Sequence, residues 1–485
     1  MKKGALLGLL LGLLVGLWQP QALAMNLQEY LQAVINKNKS IQAFDVSKEA
    51  AEDRRVSGDI ELVPVFTAGV GYLNDKSPLG QFAQLGGTQT TATDLKLGLA
   101  KRFSSGTDVA VTANATEVEN EGALLNPSFQ KFSYGTLGLG LSQSLWKNSF
   151  GNATRLRQDR QEAVATAEVG RFDLQKKVLL VSAEAAYWDY VYQNENLRIG
   201  RASLERARRI ESWTRRRVND GISDRADLLS AQALVAARQL QLVSAEDDLA
   251  AAKRQIRDYL ELRDDEAMPE ISGDISRSRA LNSMVDGNGG KVVALEAYLS
   301  SLNARAMSLV AKETEDGYRP DLVLSGSYNT NNFQPDKSIP DATSKWTDSK
   351  LPTWKVGLNL IYLFDTDVKG SAQSAARKDA LAAQLQSERK ILDSESSWIE
   401  LNRRYSEMNK RIESASLIAR LQTDAAKAQT DLFNKGRSIT ANVINAEEDA
   451  ADAELTLTRL KSEQRKMEAQ ARLFVTLDEN NREEK

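Results

Sequence analysis

The chain has 485 residues and a formal charge of −3, with no cysteine and no histidine. Disulfides, thiolate or imidazole metal sites, a lipidated or nucleophilic cysteine and a histidine general base are therefore excluded, and the slightly acidic balance argues against a broadly basic nucleic-acid binder. No Gly-x-x-x-x-Gly-Lys-Ser/Thr run occurs, and the acidic residues spread along helix faces instead of pairing in a loop, so no catalytic, cofactor or metal site is expected.

Residues 1–24 have the form of a signal peptide. Lys2 and Lys3 supply the basic end, Leu6 to Trp18 the apolar run, and Ala22-Leu23-Ala24 the small-x-small cleavage site. The competing reading, a membrane anchor, needs a longer run. Cleavage would remove the two lysines and change the formal charge from −3 to −5.

A first structural repeat is expected over 25–270. It opens with a helix from about Leu27 to Gly58 and continues with strands at about 64–75, 93–103, 107–116 and 135–146. The last strand shows period-two alternation, with Leu137, Leu139 and Leu141 set against Gly138, Gly140 and Ser142. Leu95, Leu97 and Leu99, a Ser104-Ser105-Gly106 turn, then Val109, Val111 and Ala113 read as a hairpin. One apolar and one Gly/Ser face suits a barrel wall lining water, and equally a sandwich strand; Trp146 stands where an interfacial aromatic would lie. No proline occurs between Pro127 and Pro269, so a long helix runs from about Asn152 to Asp220, turns at Gly221 and returns to about Leu262.

Residues 271–291, within a polar and Gly-rich stretch, read as a linker. A second repeat is expected over 292–477, with a helix from about Val292 to Thr314, strands at about 320–329 and 353–364, and a helical hairpin with its turn at Gly436. The second long helix starts at about Ser371 and the return runs to about Leu477. In the last strand Val356, Leu358, Leu360 and Tyr362 alternate with small or polar residues, and Trp354 and Tyr362 sit near its ends. Residues 478–485 form a charged tail.

The duplication is explicit at the turns. Gly221-Ile222-Ser223-Asp224-Arg225-Ala226-Asp227-Leu228-Leu229 and Gly436-Arg437-Ser438-Ile439-Thr440-Ala441-Asn442-Val443-Ile444 align at an offset of 215. After each turn the apolar residues keep a 3-4 spacing. The first set is Leu228, Ala231, Val235, Leu242, Ala245, Leu249, Ala252 and Ile256, broken at Arg238. The second is Val443, Ala446, Ala450, Ala453, Leu457, Leu460, Met467, Ala471 and Phe474, broken at Gln464. This spacing predicts coiled-coil packing, the alternative being the core stripe of an ordinary bundle.

The order signal peptide, helix, strands, very long helical hairpin, then the unit again, with turns at Gly221 and Gly436, resembles the TolC-like outer-membrane efflux proteins over nearly the whole mature chain. The fold class implied is an α+β membrane protein in which the duplicated unit forms a homotrimeric outer-membrane β-barrel continued by a periplasmic α-helical coiled-coil tunnel. The resemblance implies partnership with itself, with outer-membrane lipid, with a periplasmic adaptor (membrane fusion) protein and with an inner-membrane exporter. It implies no enzyme, no cofactor and no nucleic acid. The function implied is the exit channel of a tripartite efflux or type I secretion system. Family members usually contribute four strands per chain; here the extra hairpin either joins the wall, giving six, or lies outside it.

In such proteins the turns close the duct and meet the adaptor, which implies tip and adaptor-contact roles for Gly221, Ser223, Ala226, Gly436, Ser438 and Ala441. The pore constriction would be lined by Asp227, Asn442 and Asn445. The best-studied type carries aspartates six and nine residues after the second glycine and a basic residue two after it, where this chain has Asn442, Asn445 and Ser438. A weaker acidic ring and no arginine–aspartate lock at Ser438 are therefore expected. The other class weighed is a periplasmic coiled-coil tether without a pore, for which alternating strands have no use; a carboxylate hydrolase lacks a clustered acid pair.

Overall fold

The computed structural model describes residues 24–77, 87–122, 130–263, 265–285, 291–348 and 350–477. The signal-peptide reading falls almost wholly outside the described residues, as does the charged tail. The described chain forms two compact units: one holds residues up to Lys48, Gly170–Tyr298 and from Lys390; the other holds Glu49–Val169 and Leu299–Arg389.

In the second unit six strands form one antiparallel sheet: β1 (Val65–Asp75), β2 (Gln89–Arg102), β3 (Thr107–Glu121), β4 (Lys131–Ser144), β6 (Asp321–Pro335) and β7 (Leu351–Ile361), in that spatial order. The first-repeat hairpin β2–β3 thus lies inside the sheet, between β1 and β4. Paired residues share a face, and the register brings the apolar positions of all six strands together. Phe66, Val70 and Tyr72 pair with Leu99, Leu95 and Thr93. Leu99 pairs with Val111 and Val111 with Leu139. Leu139 pairs with Tyr328 and Tyr328 with Trp354, and Val356 and Leu358 continue that face. The opposite face carries Thr67, Asp94, Lys96, Thr112, Gly138, Asn329 and Lys355. It is crowded: a Cβ at Gly98 would lie 2.5 Å from Thr67 Oγ1, and one at Gly138 would overlap Asn329 Oδ1.

The short helix α6 (Ile339–Ser344), between β6 and β7, is entered by a capping box of Ser338 and Asp341. It rests on the small residues of the apolar face, with Trp346 Nε1 donating to the Asn114 carbonyl (2.9 Å) and Asn332 Nδ2 to that of Ala342 (3.1 Å). The passage from β4 into the long helix that begins at Asn152 is conformationally costly. Asn148 and Phe150 have φ of 52° and 45°, and Gly151 of 81°. Buried Asp316 holds this junction by accepting the Asn148 N–H at 2.7 Å.

The first unit is mostly helical, with one short two-stranded sheet. The expected opening helix is two: α1 (Leu27–Lys37), with a capping box of Asn26 and Glu29, and α2 (Lys39–Ser57), which runs on into the other unit. The break is Asn38, whose extended backbone ends α1 and whose Oδ1 accepts the Ser40 and Ile41 N–H groups, capping α2. The long helices are α3 (Asn152–Asn219), α4 (Arg225–Tyr259), α7 (Thr366–Asn434) and α8 (Thr440–Ala471); α5 (Leu295–Gly317) opens the second set. Val292 and Val293, expected in that helix, belong instead to β5 (Lys291–Ala294). Phe474, expected on the helical seam, lies in β8 (Phe474–Leu477), which pairs with β5. In the first repeat Met25 makes the corresponding backbone contacts with Glu270 and Ser272.

Two further differences come from burial. The expected linker is anchored by buried Ile271, Ile275 and Leu281, and Tyr187 Oη donates to the Ser272 carbonyl at 2.7 Å. The two polar breaks in the heptads face inward. Arg238, 5% exposed, bonds Gln241 at 2.6 Å and lies 3.7 Å from Glu448; Gln464, 4% exposed, pairs with Asn409. Buried polar groups are tolerated where partners satisfy them. Ala231, Ala245, Leu249, Ala252 and Ile256 are buried as their spacing predicts.

Candidate functional site

The two helical turns are built alike. Gly221 follows the end of α3 and has φ of 71°; its N–H donates to the Val218 carbonyl at 3.0 Å, and the Ile222 N–H to that of Arg217 at 2.7 Å. Gly436 follows α7 with φ of 74°; its N–H donates to Phe433 at 3.0 Å, and the Arg437 N–H to Leu432 at 2.8 Å. Both are complete Schellman motifs, which require a residue in the left-handed region and so favour glycine. A Cβ on either glycine would meet nothing within 4 Å; the backbone angle, not space, selects glycine.

The hairpins differ beyond the turn. Asp224 precedes α4, whose first turn contains Asp227, a favourable place for a negative charge at a helix start. Ser223 Oγ donates to Asp227 Oδ2 at 2.6 Å. The matching positions in α8 are Ile439, a poor cap, and Asn442, so that first turn carries no acid.

Both hairpins share one small core of Ala207, Ile210, Ala231, Leu234, Phe433 and Val443. Trp213 and Phe433 have ring centres 6.5 Å apart. The Arg217 guanidinium lies 4.8 Å from the centre of the Phe433 ring, and its Nη1 donates to the Ser438 carbonyl at 3.4 Å.

Ser438 is not a surface residue. It is buried on the protomer, its Oγ donating to Gln429 Oε1 at 2.9 Å, so its side chain packs the turn. Ala226, Ala441, Asn442 and Asn445 are exposed on the protomer and Asp227 is half-buried; of the expected residues, the structure brings together Ser223 and Asp227. Ile222 and Ile439, 65% and 61% exposed, put apolar surface at the turns and were missed by sequence reasoning. The signal available was an apolar residue directly after Gly221, and one at the cap of α8.

Away from the turns, Glu468 Oε2 accepts from Arg465 Nη1 at 2.8 Å, while Oε1 accepts from the Arg279 N–H at 3.0 Å and from Tyr405 Oη at 2.9 Å. Burial pushes the Glu468 carboxyl above the usual range despite these donors, and burial lowers Arg465, against the pull of Glu468. Desolvation outweighs the mutual attraction on both partners.

A family model described as outer membrane efflux protein matches residues 30–261. Solved structures share the fold. The outer-membrane channel OprN has 16% identity and a TM-score of 0.64, covering 92% of this chain and 89% of that one. The outer membrane protein VceC from Vibrio cholerae has 13% identity and 0.62, covering 92% and 94%. The Campylobacter jejuni CmeC outer membrane channel has 11% identity and 0.62, covering 92% and 85%. No curated protein matches the sequence. The duplicated hairpins and the one-sided apolar sheet thus occur in a chain that shares the fold of solved outer-membrane channels over most of its length and resembles the outer membrane efflux protein family over residues 30–261.

Proposed function

We propose that three copies of this chain form a passive exit duct across the outer membrane. The observation that carries this reading is the six-stranded sheet with one continuous apolar face, an opposite face of polar and small residues, and two edges that have no partner strand among the described residues. Such a sheet can stand in lipid only when its edges close into a barrel. A periplasmic tether has no use for an apolar wall, whose Val70 and Trp354 are 78% and 73% exposed on the isolated protomer.

In this reading the hairpins of three protomers build the tunnel, and the turns at Gly221 and Gly436, with Ser223, Ala226 and Ala441, meet a periplasmic adaptor. The exposed Ile222 and Ile439 add an apolar component to that surface. Asp227, Asn442 and Asn445 line the constriction. The chain carries no nucleotide-binding loop, so an inner-membrane exporter supplies the energy. The test is the molar mass of the detergent-extracted particle by light scattering, with detergent subtracted. A trimer that resists salt and carbonate washing supports the duct; a washable monomer or dimer overturns it.

A further inference from the structure

We propose that the β2–β3 hairpin is part of the wall, so that three protomers close an eighteen-stranded barrel in which β7 of one protomer pairs flush, end to end, with β1 of the next. This rests on the trimeric duct reading above and adds the composition and bore of its outlet.

The six strands are antiparallel in every pair, so β1 and β7 run in opposite directions and can continue the alternation across a seam. Both edge strands are 11 residues long. Flush pairing sets Ile361 opposite Val65 and Leu351 opposite Asp75. It then sets Trp354 opposite Tyr72, Val356 opposite Val70, Leu358 opposite Ala68 and Leu360 opposite Phe66. All eight lie on the apolar face, so inside and outside are preserved around the ring. A slip of one residue would set apolar positions against Gly69, Gly71 and Thr67.

The stagger supplies an independent check. A path perpendicular to the strands from Val65 passes Ala100, Ala110, Gly140 and Ser327 and arrives at Lys355. Flush pairing sets Lys355 opposite residue 71 of the next protomer, a rise of six residues per protomer and eighteen around the ring. Stagger then equals strand number, as in eight-stranded barrels of shear 8, whose strands tilt by about 36°. That lies within the range closed barrels adopt. The hairpin is also fastened at its base. Its Gly106 carbonyl accepts the Ser144 N–H at 3.1 Å, and the Ser105 carbonyl accepts from Gln143 Nε2 at 3.1 Å.

Diameter grows roughly linearly with strand number. The outlet is then about half again as wide as one made from four strands per protomer, so the barrel is not where bulky cargo would be held back.

Because the native chain has no cysteine, introduced pairs report without background. Val70→Cys with Leu95→Cys, paired in the sheet, is the positive control within one protomer. Val70→Cys with Val356→Cys should oxidise between protomers and give a covalent trimer on a denaturing gel. Val70→Cys combined in turn with Leu137→Cys, Leu139→Cys or Leu141→Cys should give no disulfide. Two intervening strands put β1 and β4 about 14 Å apart at about 4.8 Å per spacing, too far for a disulfide. An intrachain β1–β4 disulfide in an intact trimer would place the hairpin outside the wall and overturn the proposal. So would an intact trimer without the seam link. Failure of the duct reading is read separately, as a particle whose mass before oxidation is not that of three chains.

Discussion

Arg217 and Phe433 join the two repeats at their turns: the guanidinium of one hairpin lies 4.8 Å from the ring centre of the other and also donates to the Ser438 carbonyl. The contact links two segments that are chemically ordinary on their own. A cation–π contact contributes about 0.5–2 kcal/mol according to its desolvation, and a charged hydrogen bond adds to it. Arg217→Ala should lower stability by about 1–3 kcal/mol, read as a drop in the denaturant or thermal midpoint. Arg217→Lys should recover part of the loss, since the ammonium keeps the charge without the planar fork. If the duct reading holds, looser hairpins should also raise single-channel conductance.

Gly221→Ala and Gly436→Ala should each cost about 1–2 kcal/mol, the penalty of an L side chain in the left-handed region. Since a Cβ meets no neighbour there, Gly→Asn should cost less than Gly→Ala. Equal losses for Asn and Ala would show that the turn in solution does not use this backbone angle. Denaturant midpoints of the four variants decide it.

Asn442→Asp restores an acid to the first turn of α8, where the helix dipole favours it by about 0.3–1 kcal/mol. The variant should be slightly more stable at low salt, with the gain fading as salt screens it. If Asn442 and Asn445 face the pore, Asn445→Asp should also make conductance sensitive to millimolar divalent cations. Unchanged cation sensitivity would remove Asn445 from the constriction.

Glu468 has a carboxyl raised by burial above its ordinary value of 4.5. A folded-state pKa above the unfolded one means that its contribution to stability is complete below pH 4.5 and is lost as pH rises through the folded value. Glu468→Gln mimics the protonated form. Its thermal midpoint should equal the native one near pH 4 and exceed it at pH 7. A variant less stable than the native chain at pH 7 would mean that Arg465 holds the carboxylate charged more strongly than burial opposes it.

Gly151→Ala should be severe. Its φ is 81°, and the added Cβ would overlap the Ser104 carbonyl oxygen at the base of the β2–β3 hairpin. A loss above about 2 kcal/mol is expected from backbone strain and overlap together, measured as less assembled protein in the outer membrane and a lower midpoint for what remains. Asn152→Ala, a neighbour whose side chain makes one long bond of 3.5 Å, should be mild by comparison.

Much of this molecule is written locally. The turn glycines, the long proline-free helices, the alternation of Leu137, Leu139 and Leu141 and the offset of 215 between repeats each follow from neighbours along the chain. Boundaries were less legible where a polar side chain intervened, as at Asn38, or where a helical spacing continued into a strand, as at Phe474. The heptads placed Ala231 and Ile256 correctly but could not say that Arg238 and Gln464, their polar breaks, would turn inward. That depended on Glu448 and Asn409, far away in sequence.

By itself the sequence determined a duplicated unit with two glycine turns and strands having one apolar face, because periodicity and backbone preference act over a few residues. Only the tertiary structure decided that the hairpin enters the sheet, that Ser438 is buried and that Arg217 crosses to Phe433. Strand order and the fate of a buried polar group are set by pairing between distant segments, and the same local pattern is compatible with either outcome until the partner is in place.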